Sequence, residues 1–416
     1  MPSSTANGGS SNGAAVHIPV IDLSYDPTDA DASALRLVTA LRPDWADPSA
    51  KVEFKRFTDG ITNTLLKAVN KREGASKEDI DVEAILLRAY GHGTDVLIDR
   101  QRETQNHELL MQHGLAPELL ARFSNGMMYR YLRGTVTTPK DLRKPRVYLA
   151  VARRLAQWHA IMPCVPNPSA TSNGEASSTN GISSGMVAPN KPPPNVWTVM
   201  QKWLHALPHE TEAEQTRQKS LQEEFHWLIE ELSQRPGLGE YGLVFAHCDL
   251  LSGNVIIEPK AAGSPDTEES VAFIDYEYAT PSPAAFDLAN HFAEWGGFDC
   301  DFNVLPTRSQ RREFIAEYIR TYFTQLPSRP ADLNVDSEID KMCQEVDAFR
   351  GLPGFYWGIW ALIQATISQI DFDYASYAEI RLGEYWAWKA EHTGQRKAKG
   401  EDLPVRERRW AEEEKV

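Results

Sequence analysis

A short motif in the second half of the chain restricts the fold more than any other feature. Residues 247–254 read HCDLLSGN, and the apolar run Val255–Ile257 follows at once. A second apolar run, at 271–274, ends in an aspartate. Runs of this length and composition predict two strands of a β-hairpin. The hairpin would bring together three oxygen-bearing side chains, those of Asp249, Asn254 and Asp275.

These three side chains are the groups that phosphoryl transfer to a hydroxyl requires. A carboxylate must orient the hydroxyl and accept its proton, and Asp249 is the candidate for this catalytic base. Mg²⁺ must offset the phosphate charge, and it takes hard oxygen ligands such as Asn254 and Asp275. We expect Gly253 to allow the tight turn between Asp249 and Asn254. A chance match of HxDxxxxN is the alternative, and the two predicted strands argue against it.

The composition limits the classes of protein that need to be considered. The 416 residues carry a formal net charge of −15, which argues against a nucleic-acid partner and suits a small cationic substrate. The four cysteines are far apart and show no metal-binding or disulfide pattern, which is typical of a reducing compartment. No apolar run reaches the roughly 18 residues of a membrane-spanning helix. We therefore expect a cytoplasmic protein without stable membrane insertion.

Periodicity divides the chain into a small β-rich N-lobe at 21–134 and a larger, mostly helical C-lobe at 135–395. The N-lobe is predicted to contain one helix at 100–112 and five strands, at 51–57, 65–69, 84–90, 119–123 and 127–132. From Pro145 the apolar residues recur with a helical period. Further helices are predicted at 284–294, 310–325, 337–370 with a break at Pro353, and 374–392.

Three segments are predicted to lie outside this folded core. The tail at 1–20 and the insertion at 165–195 are poor in apolar residues and are predicted to be disordered. Residues 396–416 are rich in both signs of charge and are predicted to form a solvated tail.

Two features of the N-lobe are candidates for contact with nucleotide phosphates. The first is the turn between the first two strands, formed by Gly60, Ile61, Thr62 and Asn63, for which an ordinary hairpin turn is the alternative. The second is Arg88, a forked donor in an otherwise apolar strand, which Glu103 on the following helix could brace. A solvated arginine on an edge strand is the alternative for this residue.

The chain resembles the choline/ethanolamine kinase family at these residues, and most of all its ethanolamine kinase branch. The matching stretches are GITN at 60–63, LLRAYG at 86–91, DRQRE at 99–103, HGLAPEL at 113–119, HCDLLSGNVI at 247–256, FIDYEYA at 273–279, FDLANHFAEW at 286–295 and WGIWALIQ at 357–364. The resemblance extends from about residue 50 to about residue 390.

The resemblance implies an α+β, protein-kinase-like fold of two lobes and ATP-dependent phosphorylation of a small amino alcohol. It implies that Asp249 is the catalytic base and that Asn254 and Asp275 bind Mg²⁺. Arg88 with Glu103 would replace the Lys–Glu pair of protein kinases, and backbone around Tyr129 and Tyr131 would contact adenine. The chain departs from the family pattern at Arg130, where an acid is frequent, and at Cys248, where Asn is commoner.

The resemblance also implies an alcohol pocket lined by one acid and four aromatic residues. These are Glu294, Tyr278, Trp357, Trp360 and Tyr377. A carboxylate and aromatic faces suit a substrate ammonium group, and Trp357 and Trp360 share one helix face. A Trp and Tyr stripe at helical spacing is also common in a hydrophobic core, and this is the alternative.

The favoured acceptor is ethanolamine, because Leu250 and Leu251 resemble that branch of the family. Its product, phosphoethanolamine, begins the CDP-ethanolamine route to phosphatidylethanolamine. Choline, another small-molecule acceptor such as an aminoglycoside, and a non-catalytic kinase-like module are the alternatives. A homodimer is compatible with the sequence, which does not determine the oligomeric state.

Overall fold

The predicted N-terminal strands pair into one sheet. The computed structural model of the protein describes residues 18–57, 63–91, 94–164, 188, 190–260, 268–368 and 370–413. Within them the sheet contains β1 (Val20–Ile21), β2 (Val52–Phe57), β3 (Asn63–Asn70), β4 (Ile85–Tyr90), β5 (Leu119–Phe123) and β6 (Gly126–Arg130). The spatial order is β1-β5-β6-β4-β3-β2. All neighbours are antiparallel except β1, which lies parallel to β5.

Two helices that were not predicted accompany this sheet, α1 (Ala30–Leu41) and α2 (Lys77–Glu83). Leu37 and Val38 of α1 are fully buried in a core that includes Leu87 of β4. The prediction of a disordered tail through residue 20 is wrong at its end, because Val20 belongs to β1. The sheet and these helices, described parts of 1–90 and 118–131, form one compact unit.

The remaining described residues, within 91–117 and 132–416, form a second and mostly helical unit. Its helices are α3 (Arg100–Gln112), α4 (Pro139–Leu142), α5 (Pro145–Ile161), α6 (Val196–His205), α7 (Glu212–Leu232), α8 (Ala284–Ala293), α9 (Arg308–Gln325), α10 (Val335–Phe349), α11 (Leu352–Ile367), α12 (Tyr374–His392), α13 (Gln395–Lys399) and α14 (Val405–Ala411). In the described part of the chain, no helix is both long and apolar enough to cross a bilayer.

Two small sheets in this unit support the motif. Strands β9 (Val255–Ile257) and β10 (Val271–Phe273) form the predicted antiparallel hairpin, and β7 (Thr135–Val136) pairs with β9 on its other side. Strands β8 (Val244–Ala246) and β11 (Thr280–Ser282) pair antiparallel, with Ala246 opposite Thr280. The motif therefore leaves one sheet at β8 and enters the other at β9.

Helix α3 has the predicted bounds, but its contacts differ from the prediction that placed it in the N-lobe. The side-chain amide of Asn106 donates to the carbonyl of Ala279 at 3.0 Å, and the His107 ring packs edge-on to Tyr276 at 5.5 Å. These contacts explain why 91–117 groups with the second unit. The position of the helix in the chain gave no sign of them.

Two predicted disordered or solvated segments are ordered where the structure describes them. The insertion was predicted to extend to residue 195, but the buried Asn195 caps α6 by accepting from the amides of Trp197 and Thr198. Residues 1–17, 165–187 and 189 lie outside the described residues. The solvated C-terminal tail is also wrong, because α14 buries Arg406 and Trp410 against the second unit.

The predicted long helix at 337–370 is interrupted, as expected, close to Pro353. Helix α10 ends at Phe349 and α11 begins at Leu352, with Pro353 in its first turn, where a missing N–H costs little. Helix α11 packs closely on α12, because a Cβ on Gly354 would lie only 2.5 Å from the carbonyl oxygen of Arg381. This close contact brings the two helices together next to the part of α11 that carries Trp357 and Trp360.

We expect Gly354→Ala to destabilise the protein by about 1–3 kcal/mol, because the added Cβ would displace the backbone of α12. Gly383→Ala is the matched control, since a Cβ there meets nothing within 4 Å. That control is expected to stabilise by up to about 1 kcal/mol through helix propensity. Denaturant midpoints measure both effects, and equal stabilisation by the two variants would contradict the close helix contact.

Candidate active site

The loop that carries the motif is anchored by Asp287, a fully buried residue in the first turn of α8. The backbone amides of His247 and Cys248 donate to its two carboxylate oxygens, at 2.9 and 2.8 Å. The pKa of Asp287 lies below its usual value. Burial alone would raise this pKa, but the hydrogen bond to His159, 3.0 Å away, helps to lower it. An ionised carboxylate therefore fixes the start of the loop.

The backbone turns sharply at Cys248, whose φ of 63° lies in the left-handed region. A residue with a Cβ pays about 1–2 kcal/mol for this conformation. Its sulfhydryl lies 3.3 Å from the Ser282 hydroxyl, and its carbonyl accepts from the side-chain amide of Asn290 at 2.8 Å. These contacts and the Asp287 anchor hold Cys248 in place.

The prediction that Gly253 enables the turn from Asp249 to Asn254 is wrong. That turn is a short 3-10 helix, Ser252–Asn254, whose backbone any residue can adopt. A Cβ on Gly253 would come 3.0 Å from the methyl end of the Leu251 side chain, which can move. The left-handed positions are Cys248 and Asp275 instead.

The motif brings Asp249 and Asn254 into direct contact. The side-chain amide of Asn254 donates to the Asp249 carbonyl at 2.8 Å and to its carboxylate at 3.2 Å. These bonds use the NH₂ group and leave the Asn254 amide oxygen to accept or to coordinate. The backbone carbonyl of Asn254 accepts from the amide of Ile274 at 3.0 Å. Asp275 is the next residue after Ile274, so its backbone lies close to Asn254.

Several acids act on Asp249 together. Its pKa is raised well above the usual range, first by burial and then by the negative charges of Asp275, Glu294 and Glu277. The hydrogen bond from Asn254 acts in the opposite direction. Asp275 is therefore close enough to Asp249 to influence its charge, as the predicted hairpin requires. This pocket favours cations.

The donor set fits a metal ion that arrives with phosphates. Nowhere in the described residues do three or more His, Cys, Asp or Glu side chains form a group able to hold a metal by themselves. Mg²⁺ in nucleotide sites commonly takes one or two protein ligands and completes its shell with phosphate oxygens and water. One amide oxygen from Asn254 and one carboxylate from Asp275 match that need.

Three of the predicted aromatic residues form one cluster. The indole N–H of Trp360 donates to the Tyr278 hydroxyl at 2.8 Å, and Trp357 stands edge-on to Tyr278 at 5.7 Å and to Trp360 at 5.4 Å. The three residues are between 5% and 7% exposed, so they are buried. Perpendicular rings present faces in different directions, as a cation site needs.

Asn290 joins this aromatic cluster to the loop that carries the motif. Its side-chain oxygen accepts from the Trp357 indole at 2.8 Å, while its NH₂ donates to the Cys248 carbonyl. Asp287, Asn290 and His291 on α8 and Glu294 at its C-cap recur three and four residues apart. This polar stripe on an otherwise apolar helix was the signal that could have identified Asn290.

Glu294 and Tyr377 share a buried neighbour that the sequence did not predict, Arg381 of α12. Its guanidinium lies 3.3 Å from a Glu294 carboxylate oxygen and 5.7 Å from the centre of the Tyr377 ring. Burial raises the pKa of Glu294, and the charge of Arg381 partly offsets this. The predicted ammonium-binding carboxylate thus already has a counter-ion.

The predicted nucleotide-binding residues are distributed over both units. Gly60, Ile61 and Thr62 lie outside the described residues. Asn63 begins β3, Arg88 lies on β4, Tyr129 lies on β6 and Tyr131 follows it, all in the first unit. Glu103 lies on α3 of the second unit, where it pairs with Arg100 at 2.9 Å. Their roles stay predictions.

Comparison with known proteins identifies the family. A family model described as choline/ethanolamine kinase matches residues 54–386. Ethanolamine kinase 2 from Homo sapiens is 32% identical over 380 residues, which cover 90% of this chain and 85% of that protein. Ethanolamine kinase 1 from Mus musculus is 31% identical over 389 residues, which cover 90% and 95%. The chain belongs to the choline/ethanolamine kinase family.

Solved structures of choline and ethanolamine kinases share the fold. An ethanolamine kinase from Plasmodium vivax has a TM-score of 0.65 at 23% identity and covers 86% of this chain and 89% of its own. A choline kinase from Cryptosporidium parvum has a TM-score of 0.60 at 20% identity and covers 88% and 97%. These structures confirm the predicted α+β kinase-like fold class, and the family model and the relatives confirm the predicted family and enzyme class.

The buried histidines behind the loop predict a loss of stability in acid. Burial lowers the pKa of His247 and of His291 from 6.5 to about 4. Between these values the unfolded chain binds protons that the folded protein does not, so the free energy of unfolding falls as pH drops from 6.5 to 4. Each imidazole is expected to contribute on the order of 3 kcal/mol.

Urea unfolding across this pH range measures the effect. His291→Gln, which retains a donor for the Leu250 carbonyl that His291 contacts at 2.8 Å, is expected to show a weaker pH dependence. His226→Gln is the control, because His226 is exposed. A pH dependence unchanged by His291→Gln would contradict a neutral buried imidazole.

Proposed function

We propose that the protein transfers the γ-phosphoryl group of ATP to the hydroxyl of ethanolamine, yielding phosphoethanolamine and ADP. One observation carries the proposal. Asn290 bonds at the same time to the loop that presents Asp249 and to Trp357 of the aromatic cluster, which supports a proposed base next to a proposed cation site. The relatives named ethanolamine kinase support the choice of acceptor.

Asp249 orients the hydroxyl and accepts its proton as the oxygen attacks phosphorus. Its raised pKa makes it a stronger proton acceptor than an ordinary aspartate. The hydrogen bond from Asn254 fixes the direction of the carboxylate. The proton therefore ends on Asp249 and leaves with the release of products.

Asn254 and Asp275 would hold Mg²⁺ through their side-chain oxygens. When bound, this ion offsets the charge of the phosphates and of the acids around Asp249. Phosphate and adenine contacts are assigned to the residues that the family resemblance implies: Gly60, Ile61, Thr62, Asn63, Arg88, Glu103, Tyr129 and Tyr131. The homodimer and the cytoplasmic location remain predictions from the sequence.

The ammonium end of the substrate is bound by Glu294 and by the rings of Tyr278, Trp357, Trp360 and Tyr377. The negative charge of Glu294 contributes to the raised pKa of Asp249. This supports a short distance between the proposed ammonium-binding carboxylate and the proposed base. Ethanolamine is itself short, with its nitrogen only two carbons from its oxygen. A primary ammonium donates three hydrogen bonds, which carboxylate and hydroxyl acceptors such as Glu294 and Tyr278 can receive, whereas choline donates none from nitrogen.

A panel of acceptors tests the substrate. With ATP and Mg²⁺, we expect kcat/KM for ethanolamine to exceed that for choline by about tenfold or more, because acceptors left unpaired by choline cost binding energy. ADP release with ethanolamine, choline and an aminoglycoside measures this. A preference for choline would move the protein to the other branch of its family, and activity on the aminoglycoside alone would refute an amino-alcohol acceptor.

Asp249→Asn is expected to lower kcat by about 10²–10⁴-fold while the Kd for ATP stays nearly unchanged, because the base acts in the transition state. Steady-state kinetics and nucleotide titration measure the two quantities. Asp275→Ala is the contrasting variant and is expected to weaken Mg²⁺-dependent ATP binding by about tenfold or more. Near-normal turnover of Asp249→Asn, or unchanged nucleotide affinity of Asp275→Ala, would reject the respective role.

A further inference from the structure

A row of alternating charges, buried except at its partly exposed last member, connects the proposed amine site to the C-terminal helix. It begins at the end of α8, crosses α12 and ends between α14 and the end of α10. In order, its members are Glu294, Arg381, Glu384, Arg406, Glu407 and Arg350. Three carboxylates and three guanidinium groups give the row no net charge.

Arg381 is shared by two acids in the first half of this row. One guanidinium nitrogen lies 3.3 Å from Glu294 and another lies 3.5 Å from Glu384. The side chains of these three residues are 6%, 1% and 2% exposed for Glu294, Arg381 and Glu384. Because water cannot screen them, each carboxylate depends on the cation next to it.

Arg406 of α14 supplies the second cation for Glu384, at 3.4 Å from its other carboxylate oxygen. Arg406 also pairs with Glu407 at 3.1 Å and donates to the Arg350 carbonyl at 2.6 Å. Glu407 is paired in turn with Arg350 at 2.7 Å. Glu384 is therefore compensated from the side of the C-terminal helix, and Arg381 is not required to neutralise it alone.

We propose that Arg406 and Arg381 are positioning residues for the substrate ammonium: by pairing with Glu384, Arg406 allows Arg381 to hold the Glu294 carboxylate ionised and correctly oriented. This inference rests on the proposed function, in which Glu294 binds the ammonium. Arg381 contacts one carboxylate oxygen of Glu294, and in this proposal the second oxygen accepts from the ammonium. Residue 406 lies beyond the 54–386 segment that matches the family, so the inference concerns this chain itself.

Without Arg406, Glu384 would compete with Glu294 for Arg381. Glu294 would then be a buried acid with a weakened counter-ion, and burial already raises its pKa while Arg381 lowers it. A protonated or misdirected carboxylate binds an ammonium group poorly. The effect should reach amine binding and not the nucleotide.

Helix α14 has other attachments, which make Arg406 a suitable position for substitution. The Trp410 indole N–H donates to Asp347 at 2.6 Å, and the Arg311 guanidinium stacks 3.7 Å from the centre of the Trp410 ring. Arg409 donates to the Leu305 carbonyl at 2.8 Å. The helix is therefore expected to remain docked when Arg406 is changed.

In the full-length protein, Arg406→Gln is expected to raise the KM for ethanolamine by about tenfold, because one charge of a buried pair is lost. The KM for ATP and kcat at saturating ethanolamine should change less than about twofold. Arg408→Gln removes the same charge from the exposed side of the same helix and should change none of these constants. Equal KM values for Arg406→Gln and Arg408→Gln would overturn the proposal.

Rescue by a second substitution separates positioning from general damage. In the Glu384→Gln/Arg406→Gln double variant the competing carboxylate is absent, so the KM for ethanolamine should return to within about threefold of the unchanged protein. A KM for ethanolamine as high in the double variant as in Arg406→Gln would also overturn the proposal. So would a parallel loss of kcat and of the affinities for ethanolamine and ATP. Should Arg406→Gln fail to fold, Arg406→Lys replaces it, with a smaller rise expected in the same KM and no rise as the refuting result.

Glu294→Gln distinguishes this inference from the proposed function. If it leaves the KM for ethanolamine unchanged, the ammonium role of Glu294 fails, and the positioning role fails with it. If Glu294→Gln raises that KM while Arg406→Gln does not, the proposed function stands and only the positioning role is refuted.

Discussion

The site depends on the hydrogen bonds that the Asp287 carboxylate accepts. This carboxylate accepts from two consecutive backbone amides of the loop that carries the motif and lies against His159, whose other ring nitrogen is 2.8 Å from the Tyr318 hydroxyl. A buried ionised acid is tolerated only when it is fully hydrogen-bonded, and these partners provide this. With the loop start fixed, Cys248 can hold its left-handed conformation and Asp249 can point into the pocket.

The pocket concentrates like charges, which is unfavourable for folding and useful for function. The pKa of Asp249 is raised first by burial and then by the negative charges of Asp275, Glu294 and Glu277. In the proposed function, an ammonium group or a metal ion would offset this negative charge on binding. Elsewhere in the second unit, buried charges alternate in sign instead, as they do from Arg381 to Arg350.

Much of the site was predictable where the relevant residues are close in sequence. Asp249 and Asn254 are five residues apart in one loop, and Trp357 and Trp360 are three apart in one helix, so local geometry nearly determines their contacts. Gly253 was misjudged, because glycine is common in turns that do not require it. The prediction for the C-terminal tail was wrong because a run of mixed charges has the same sequence pattern in solvent and in a buried set of ion pairs.

The sequence by itself determined the hairpin, the helical faces and the family, because strand alternation, helical period and a compact motif are local properties that neighbouring residues express together. Only the tertiary structure decided that Arg381 pairs with Glu294, that Asn290 joins Trp357 to the loop, and that α14 is buried. The residues that form the Asn290 and Arg381 contacts are 42 to 87 positions apart in the sequence. Periodicity specifies which face of an element is buried, but the partner on that face depends on how distant elements pack.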